Sequence, residues 1–183
     1  MDITQILSNI PNLITVARML MTPLAISMII SQRFLAAFMI FLLAGVSDAV
    51  DGLIARRFDL RTELGAYLDP LADKALLISI YISLAIYAEL PAWLTVAVVS
   101  RDVMILFAIM VSWLMDKPVE IRPVGVSKIN TAAQIALAGF ALGVRAYGFN
   151  PQPVQTVLVW TVAATTVASG GVYIAQWLDH MSR

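Results

Sequence analysis

Asp48, Asp51, Asp69 and Asp73 stand at helical spacing in a chain that is 60% hydrophobic and only 13% charged. If the stretches flanking the short polar turn Phe58–Thr62 are helices, Asp48, Asp51, Gly52 and Ala55 fall at i, i+3, i+4 and i+7 on one face. Gly65, Asp69 and Asp73 recur every four residues on the next helix. An ionised carboxylate inside a bilayer is costly unless compensated, so such residues mark a functional site, and several together call for a cation. No Cys or His accompanies them, and an all-oxygen donor set selects a hard ion, Mg²⁺ or Mn²⁺, over zinc. Among the chemistries that such an ion supports is displacement at phosphorus, in which it neutralises a diphosphate and stabilises the leaving phosphate.

The elements that must position these carboxylates are two antiparallel helices joined by a short connection. Counted outward from a turn centred near Leu60, Asp51 and Asp69 lie at similar depth, and so do Asp48 and Asp73. At the helical rise they sit roughly 10–20 Å from the turn. All four are thus expected to converge in one pocket, open to the side on which the turn lies. Read against a span of about 20 residues, hydropathy predicts six membrane helices, near 13–30, 34–56, 64–87, 92–115, 127–146 and 154–177. Ahead of them Ile3, Ile6, Leu7 and Ile10 repeat at i, i+3, i+4 and i+7, which predicts a short amphipathic helix lying in the membrane interface. Pro11 is expected to end that helix and Asn12 to cap the next.

Written out, the pattern is D-x-x-D-G-x-x-A-R, eight residues, then G-x-x-x-D-x-x-x-D, from Asp48 through Arg56 and from Gly65 to Asp73. It resembles, without a departure, the signature of the CDP-alcohol phosphatidyltransferases, integral membrane enzymes of phospholipid synthesis. The resemblance implies that a phosphatidyl group passes from CDP-diacylglycerol to an alcohol, with release of CMP. It implies two Mg²⁺ or Mn²⁺ ions on Asp48, Asp51, Asp69 and Asp73, with Asp73 also the general base. Asp48, Asp51, Gly52, Ala55, Arg56, Gly65 and Asp69 would bind the CDP group. Gly52, Ala55 and Gly65 have no bulk to keep the nucleotide from the backbone, and the Arg56 guanidinium suits a diphosphate. Taken singly, the small residues would equally serve close helix packing, and Arg56 a positive-inside anchor.

Beyond the signature, the stretches PNLITVARM, LDPLADKALL, SRDVMI, VSKINTAAQ and WTVAATTVAS look like the single-motif cardiolipin synthases, whose acceptor is phosphatidylglycerol. The first two also look like phosphatidylglycerophosphate synthases, whose acceptor is glycerol 3-phosphate. The resemblance to the cardiolipin-forming members in SRDVMI and VSKINTAAQ leads us to expect phosphatidylglycerol. It also implies a homodimer, with which a small-residue face at Ala163, Ala164, Ala168, Ser169, Gly170 and Gly171 agrees.

Other charges lie in the apolar segments or at their ends. Arg18 falls inside the first predicted span, where it either contacts a headgroup or runs its tip to the interface. Arg101 and Asp102 are mid-span in the fourth, as an ion pair with neighbouring helices or as part of a substrate site. Arg122, Lys128, Asn130, Thr131 and Gln134 read as a basic and polar entrance near the fifth helix, offering a second anion site or a positive-inside anchor. Arg18, Arg101, Arg122 and Lys128 are therefore the candidates for the acceptor headgroup.

With mean hydropathy +0.85 the chain is an all-α integral membrane protein on composition. Residues 1–183 are expected to form one domain, since connections are short and no repeat appears. Twelve basic and twelve acidic residues balance, which gives no argument for nucleic acid. Arg56, Arg57, Arg61, Lys117, Arg122, Lys128 and Arg183 fall on one predicted side and Arg33 and Arg145 on the other, so the carboxylate pocket and both termini are expected to face the cytoplasm. Met1–Ile10 shows neither a basic signal-peptide start nor an Arg- and Ser-rich transit pattern, which favours a bacterial cytoplasmic membrane. Ion or proton transport is the competing class, but transporters tend to show internal repeats and interrupted helices, and neither is evident here.

Overall fold

The computed structural model of the chain is all-helical, in the order α1 Ile3–Ile30, α2 Phe34–Phe58, α3 Glu63–Ile86, α4 Ala92–Leu114, α5 Gly125–Tyr147 and α6 Gln152–Ser182. The structure describes the backbone of residues 3–58, 63–114, 125–149 and 152–182, and side chains over 17–48, 74–105, 107–108, 110–111, 114, 125–149 and 152–179. α2 to α6 lie within a few residues of the predicted spans, because each apolar run is bounded by turn-forming residues.

The N-terminus departs from expectation. α1 is one helix of 28 residues and passes through Pro11, with Asn12 inside it and no cap between them. Proline at an interior position forfeits one hydrogen bond to the fourth preceding carbonyl and clashes with it. Ending the helix there would instead leave up to four carbonyls and, on the far side, four N–H groups without intrahelical partners. Continuation leaves fewer polar groups unsatisfied.

The chain forms two compact units, residues 1–84 with 141–150, and residues 85–140 with 151–183. In the first, α1 and α2 form an antiparallel hairpin. Arg33 N–H donates to the Met28 carbonyl (2.8 Å) and Gln32 N–H to that of Ile29 (2.9 Å), while Gln32 adopts φ 57°. This is a Schellman closure with glutamine in the left-handed position usually given to glycine. Below the turn Ala25 and Ile29 on α1 and Ala37 and Ala44 on α2 are all fully buried, and the three alanines let the helices approach closely. The end of α5 joins this unit, with the Phe38 and Tyr147 rings edge-on at 6.0 Å and Arg145 over Phe34 at 5.1 Å.

In the second unit α4 and α6 run parallel: Trp93 meets Trp160 at 5.6 Å near their starts, and Arg101 meets Ser169 two turns on. The first half of α5 runs antiparallel to α6, since Ser127 lies level with Ser169 and Asn130 with Thr165 and Thr166. Leu94, Val98, Leu137 and Val162 are fully buried in this unit. Large apolar side chains point outward, among them Phe107, Leu114 and Val167. Among the described residues one helix, Gln152–Asp179, is long and apolar enough to cross a membrane, with mean hydropathy 1.6. The apolar runs Ala17–Ile30, Phe34–Asp48 and Lys74–Ile86 are shorter.

Candidate active site

The aspartate signature lies on α2 and α3. Both are helical through its eight fixed positions, Asp48, Asp51, Gly52, Ala55 and Arg56 on α2 and Gly65, Asp69 and Asp73 on α3. Asp48 and Asp51 therefore stand one turn apart on α2, and Asp69 and Asp73 one turn apart on α3. Of these side chains only that of Asp48 is among the described ones. Those of Asp51, Gly52, Ala55, Arg56, Gly65, Asp69 and Asp73 lie outside them, as does all of Arg122.

Asp48 is held by a residue of the preceding helix. Arg18 Nη1 is 2.7 Å from Asp48 Oδ1; the arginine side chain is 1% exposed and the aspartate 45%. Arg18 does not run its tip to the surface. The pair follows from the hairpin, because the buried stripe Ile29, Ala25, Arg18 on α1 descends beside Phe34, Ala37, Phe41, Ala44 on α2 and ends at the carboxylate. A guanidinium taken out of water this fully needs an anion, and the first carboxylate of the signature supplies it. Asp48 remains nearly half exposed, with carboxylate surface left for a second ligand. An all-oxygen donor with open surface fits a hard divalent ion. Among the described residues no group of three or more acidic or histidine side chains gathers, and Asp51, Asp69 and Asp73 are outside that search.

The second unit contains a polar seam. Arg101, 6% exposed, donates from Nη1 to Asp102 Oδ1 (2.6 Å) and from Nη2 to Ser127 Oγ (2.7 Å), and it also donates to Ser169 Oγ. Its guanidinium carbon lies 5.3 Å from the Tyr173 ring centroid, a cation–π distance. One arginine thus joins α4, α5 and α6. A turn further along α5, Asn130 Oδ1 accepts from the hydroxyls of Thr165 (2.9 Å) and Thr166 (3.0 Å). Arg101 Nε and Asn130 Nδ2 are buried donors with no hydrogen-bond partner among the described residues. Each is a group whose desolvation is uncompensated within the described protein, as expected where water or a ligand oxygen is received.

Two sequence expectations change here. Asn130 and Gln134 are fully buried and do not form an exposed entrance, whereas Lys128 is exposed on α5. The reason is the α6 hydroxyls, which offer Asn130 its hydrogen bonds inside the packing. Ser127 and Tyr173 were not singled out by sequence reasoning, and Ser169 was read only as a small packing residue. Thr166, Ser169 and Tyr173 fall at i, i+3 and i+7 of an apolar helix, a polar stripe that periodicity does contain.

All-helical architecture with apolar outward faces, internal arginines and paired carboxylates at one-turn spacing defines a protein that carries charge chemistry within apolar helices. Residues 8–168 match the family model described as CDP-alcohol phosphatidyltransferase, and the chain belongs to that family. It is similar to the cardiolipin synthase (CMP-forming) of Homo sapiens, 34% identical over 182 residues that cover 90% of this chain and 60% of that protein. It is 36% identical over 182 residues to the cardiolipin synthase (CMP-forming) / mitochondrial hydrolase fusion protein of Schizosaccharomyces pombe, covering 90% of this chain and 30% of the other. With the CDP-diacylglycerol–glycerol-3-phosphate 3-phosphatidyltransferase of Bacillus subtilis it shares 29% identity over 184 residues, covering 92% and 94%. The chain thus spans less than two thirds of these two eukaryotic relatives and nearly the whole of the bacterial one.

Proposed function

We propose that this chain transfers the phosphatidyl group of CDP-diacylglycerol to an alcohol with release of CMP, and that the alcohol is phosphatidylglycerol, giving cardiolipin. What carries the reading is the complete aspartate signature laid on α2 and α3, its first carboxylate fixed by buried Arg18. Asp48, Asp51, Asp69 and Asp73 would hold two Mg²⁺ or Mn²⁺ ions. Bound there, the metal would neutralise the diphosphate and stabilise the leaving phosphate. Arg56 pairs with the diphosphate, while Gly52, Ala55 and Gly65 give the nucleotide access to the helix backbone. Asp73 accepts the proton of the acceptor hydroxyl as its oxygen bonds to the phosphorus bearing diacylglycerol; the bond from that phosphorus to the CMP oxygen breaks. Reactions of this type ask of the protein mainly positioning and charge neutralisation.

The acceptor argument rests on charge. Glycerol 3-phosphate carries nearly two negative charges and needs a cationic site of its own. Arg101 already faces Asp102 at 2.6 Å and two serine hydroxyls, so its field toward a ligand is largely balanced. A singly charged diester arriving through the lipid asks less, and Arg101 Nε, Asn130 Nδ2 and exposed Lys128 are donors of that scale. The relatives named as cardiolipin synthases support this choice. Glycerol 3-phosphate is the second reading, favoured by the bacterial relative that matches over nearly its full length. Purified protein given CDP-diacylglycerol, Mg²⁺ or Mn²⁺ and each acceptor separately is expected to form cardiolipin. Phosphatidylglycerophosphate from glycerol 3-phosphate, with no cardiolipin when phosphatidylglycerol is supplied, would select the second reading.

On this account the six helices span a bacterial cytoplasmic membrane, with the signature and both termini on the cytoplasmic side. The outward apolar faces and the length of α6 support it. The working form is a homodimer, for which small residues of α6 such as exposed Gly171 offer close approach. Mass measured in detergent should give two chains per particle; a fully active species monomeric at every accessible concentration would exclude it.

A further inference from the structure

Arg18 is among the largest fully buried side chains of the described residues, and it stands on α1, outside the aspartate signature. Its guanidinium nevertheless ends on the first carboxylate of that signature, with Nη1 2.7 Å from Asp48 Oδ1 and both residues in the first unit. Asp48 has no other hydrogen-bond or ion-pair partner among the described residues. One oxygen of Asp48 is thus engaged inside the protein, while the side chain stays 45% exposed. Oδ2 is left for a ligand.

We infer that Arg18 is a positioning residue that selects the metal: by engaging Oδ1 it limits Asp48 to one oxygen toward a cation, which favours Mg²⁺ or Mn²⁺ over Ca²⁺. The inference rests on the reading of Asp48 as a metal ligand. Its basis is coordination number. Ca²⁺ takes about six to eight oxygens and readily uses both oxygens of one carboxylate, whereas Mg²⁺ demands a near-octahedral set and is held by few carboxylates. Mn²⁺ shares the octahedral preference. Partners standing behind a metal's ligands orient those ligands and tune the affinity of the site. Arg18 is placed to do so rigidly, since it is 1% exposed and continues the buried stripe of Ala25 and Ile29 that packs along α2. A planar guanidinium held in such packing cannot follow a carboxylate that turns to offer both oxygens.

Two simpler roles make different demands. A headgroup contact needs accessible guanidinium surface, and 1% exposure leaves almost none. A purely structural ion pair would hold α1 to α2 whichever cation is bound, so it would not set a preference among cations. The charge of Arg18 acts alike on Mg²⁺ and Ca²⁺, because both carry two positive charges. Its loss therefore cancels in the ratio of the two affinities, and that ratio reports the orientation of Asp48 alone.

Mn²⁺ binding to the purified full chain without substrate, followed by electron paramagnetic resonance and displaced by Mg²⁺ or by Ca²⁺, tests the proposal. In the wild type Ca²⁺ should displace Mn²⁺ no better than Mg²⁺ does. Arg18→Met keeps a long side chain of high helix propensity and removes the contact. It should shift the Ca²⁺ to Mg²⁺ affinity ratio toward Ca²⁺ by about tenfold, the lower end of the effect of losing a partner behind a metal ligand. The Asp48 left behind is 45% exposed and stays solvated, so the variant should fold. Arg18→Lys restores one cationic donor opposite Oδ1 and should return most of the wild-type preference. Better displacement by Ca²⁺ than by Mg²⁺ in the wild type, or one ratio shared by wild type and Arg18→Met, would overturn the proposal, and the first of these needs no variant. A folded wild type that binds no Mn²⁺ would remove the metal reading itself, so the two failures are distinguishable.

Discussion

Asp51→Asn is expected to lower CMP release from CDP-diacylglycerol by on the order of 10³-fold, the scale of losing a preorganised electrostatic stabiliser of developing charge. Asp51 stands one turn from Asp48 on α2, the spacing that on the proposed reading lets the two share one ion. Asparagine keeps the size and a carbonyl oxygen but removes the charge that a hard divalent ion prefers. It has similar helix propensity to aspartate, and α2 should fold unchanged. The variant should therefore enter the membrane fraction normally and unfold at the wild-type temperature while releasing almost no CMP. Activity within tenfold of wild type would remove Asp51 from the proposed metal site. The same loss should follow in the wild type when Mg²⁺ and Mn²⁺ are chelated, and addition of either ion should reverse it.

Arg101→Ala carries the largest expected cost in stability, about 3–5 kcal/mol, the range for breaking a buried pair by removal of one partner. The substitution leaves Asp102, 4% exposed, without its 2.6 Å contact. It also cuts the link from α4 to Ser127 on α5 and to Ser169 and Tyr173 on α6. Arg101→Lys retains the charge opposite Asp102 but not a planar fork able to reach both serines, so an intermediate loss is expected. Replacing both members, as Arg101→Met with Asp102→Leu, should cost less than Arg101→Ala alone, because no charge is then stranded. Denaturation in detergent followed by circular dichroism checks the order. Arg101→Ala as stable as wild type would show that the seam does not hold the three helices together.

Much of the helical layout is legible in the sequence because apolar runs end sharply at Ser31–Arg33, Tyr87–Pro91 and Tyr147–Pro153. Pro11 misleads because its local penalty is weighed against the cost of two new helix ends, which propensity does not include. No acidic residue lies near Arg18 in the sequence. The depth-matching applied to Asp51 and Asp69 would have pointed to Asp48 as its counter-charge, since Arg18 lies 14 residues before Gln32 and Asp48 lies 16 after it. Asn130 and Gln134 look like an entrance beside Lys128 on residue type alone. For Asn130, burial is decided by hydroxyls on α6 more than 30 residues away, which the pattern of α5 does not reveal. The aspartate signature itself needs no such tertiary information, because its spacing is set by helical geometry within α2 and within α3.

The central claim is that these carboxylates support metal-dependent displacement of CMP. Purified protein incubated with CDP-diacylglycerol and phosphatidylglycerol, with Mg²⁺ or Mn²⁺ and then with excess chelator, tests it most directly through CMP measured against lipid product. The account predicts one CMP per phosphatidyl group transferred in the presence of metal, and neither in chelator. Full activity in chelator would contradict the metal site. Ion uptake into protein-containing vesicles, with no CMP released under any of these conditions, would contradict the transferase itself.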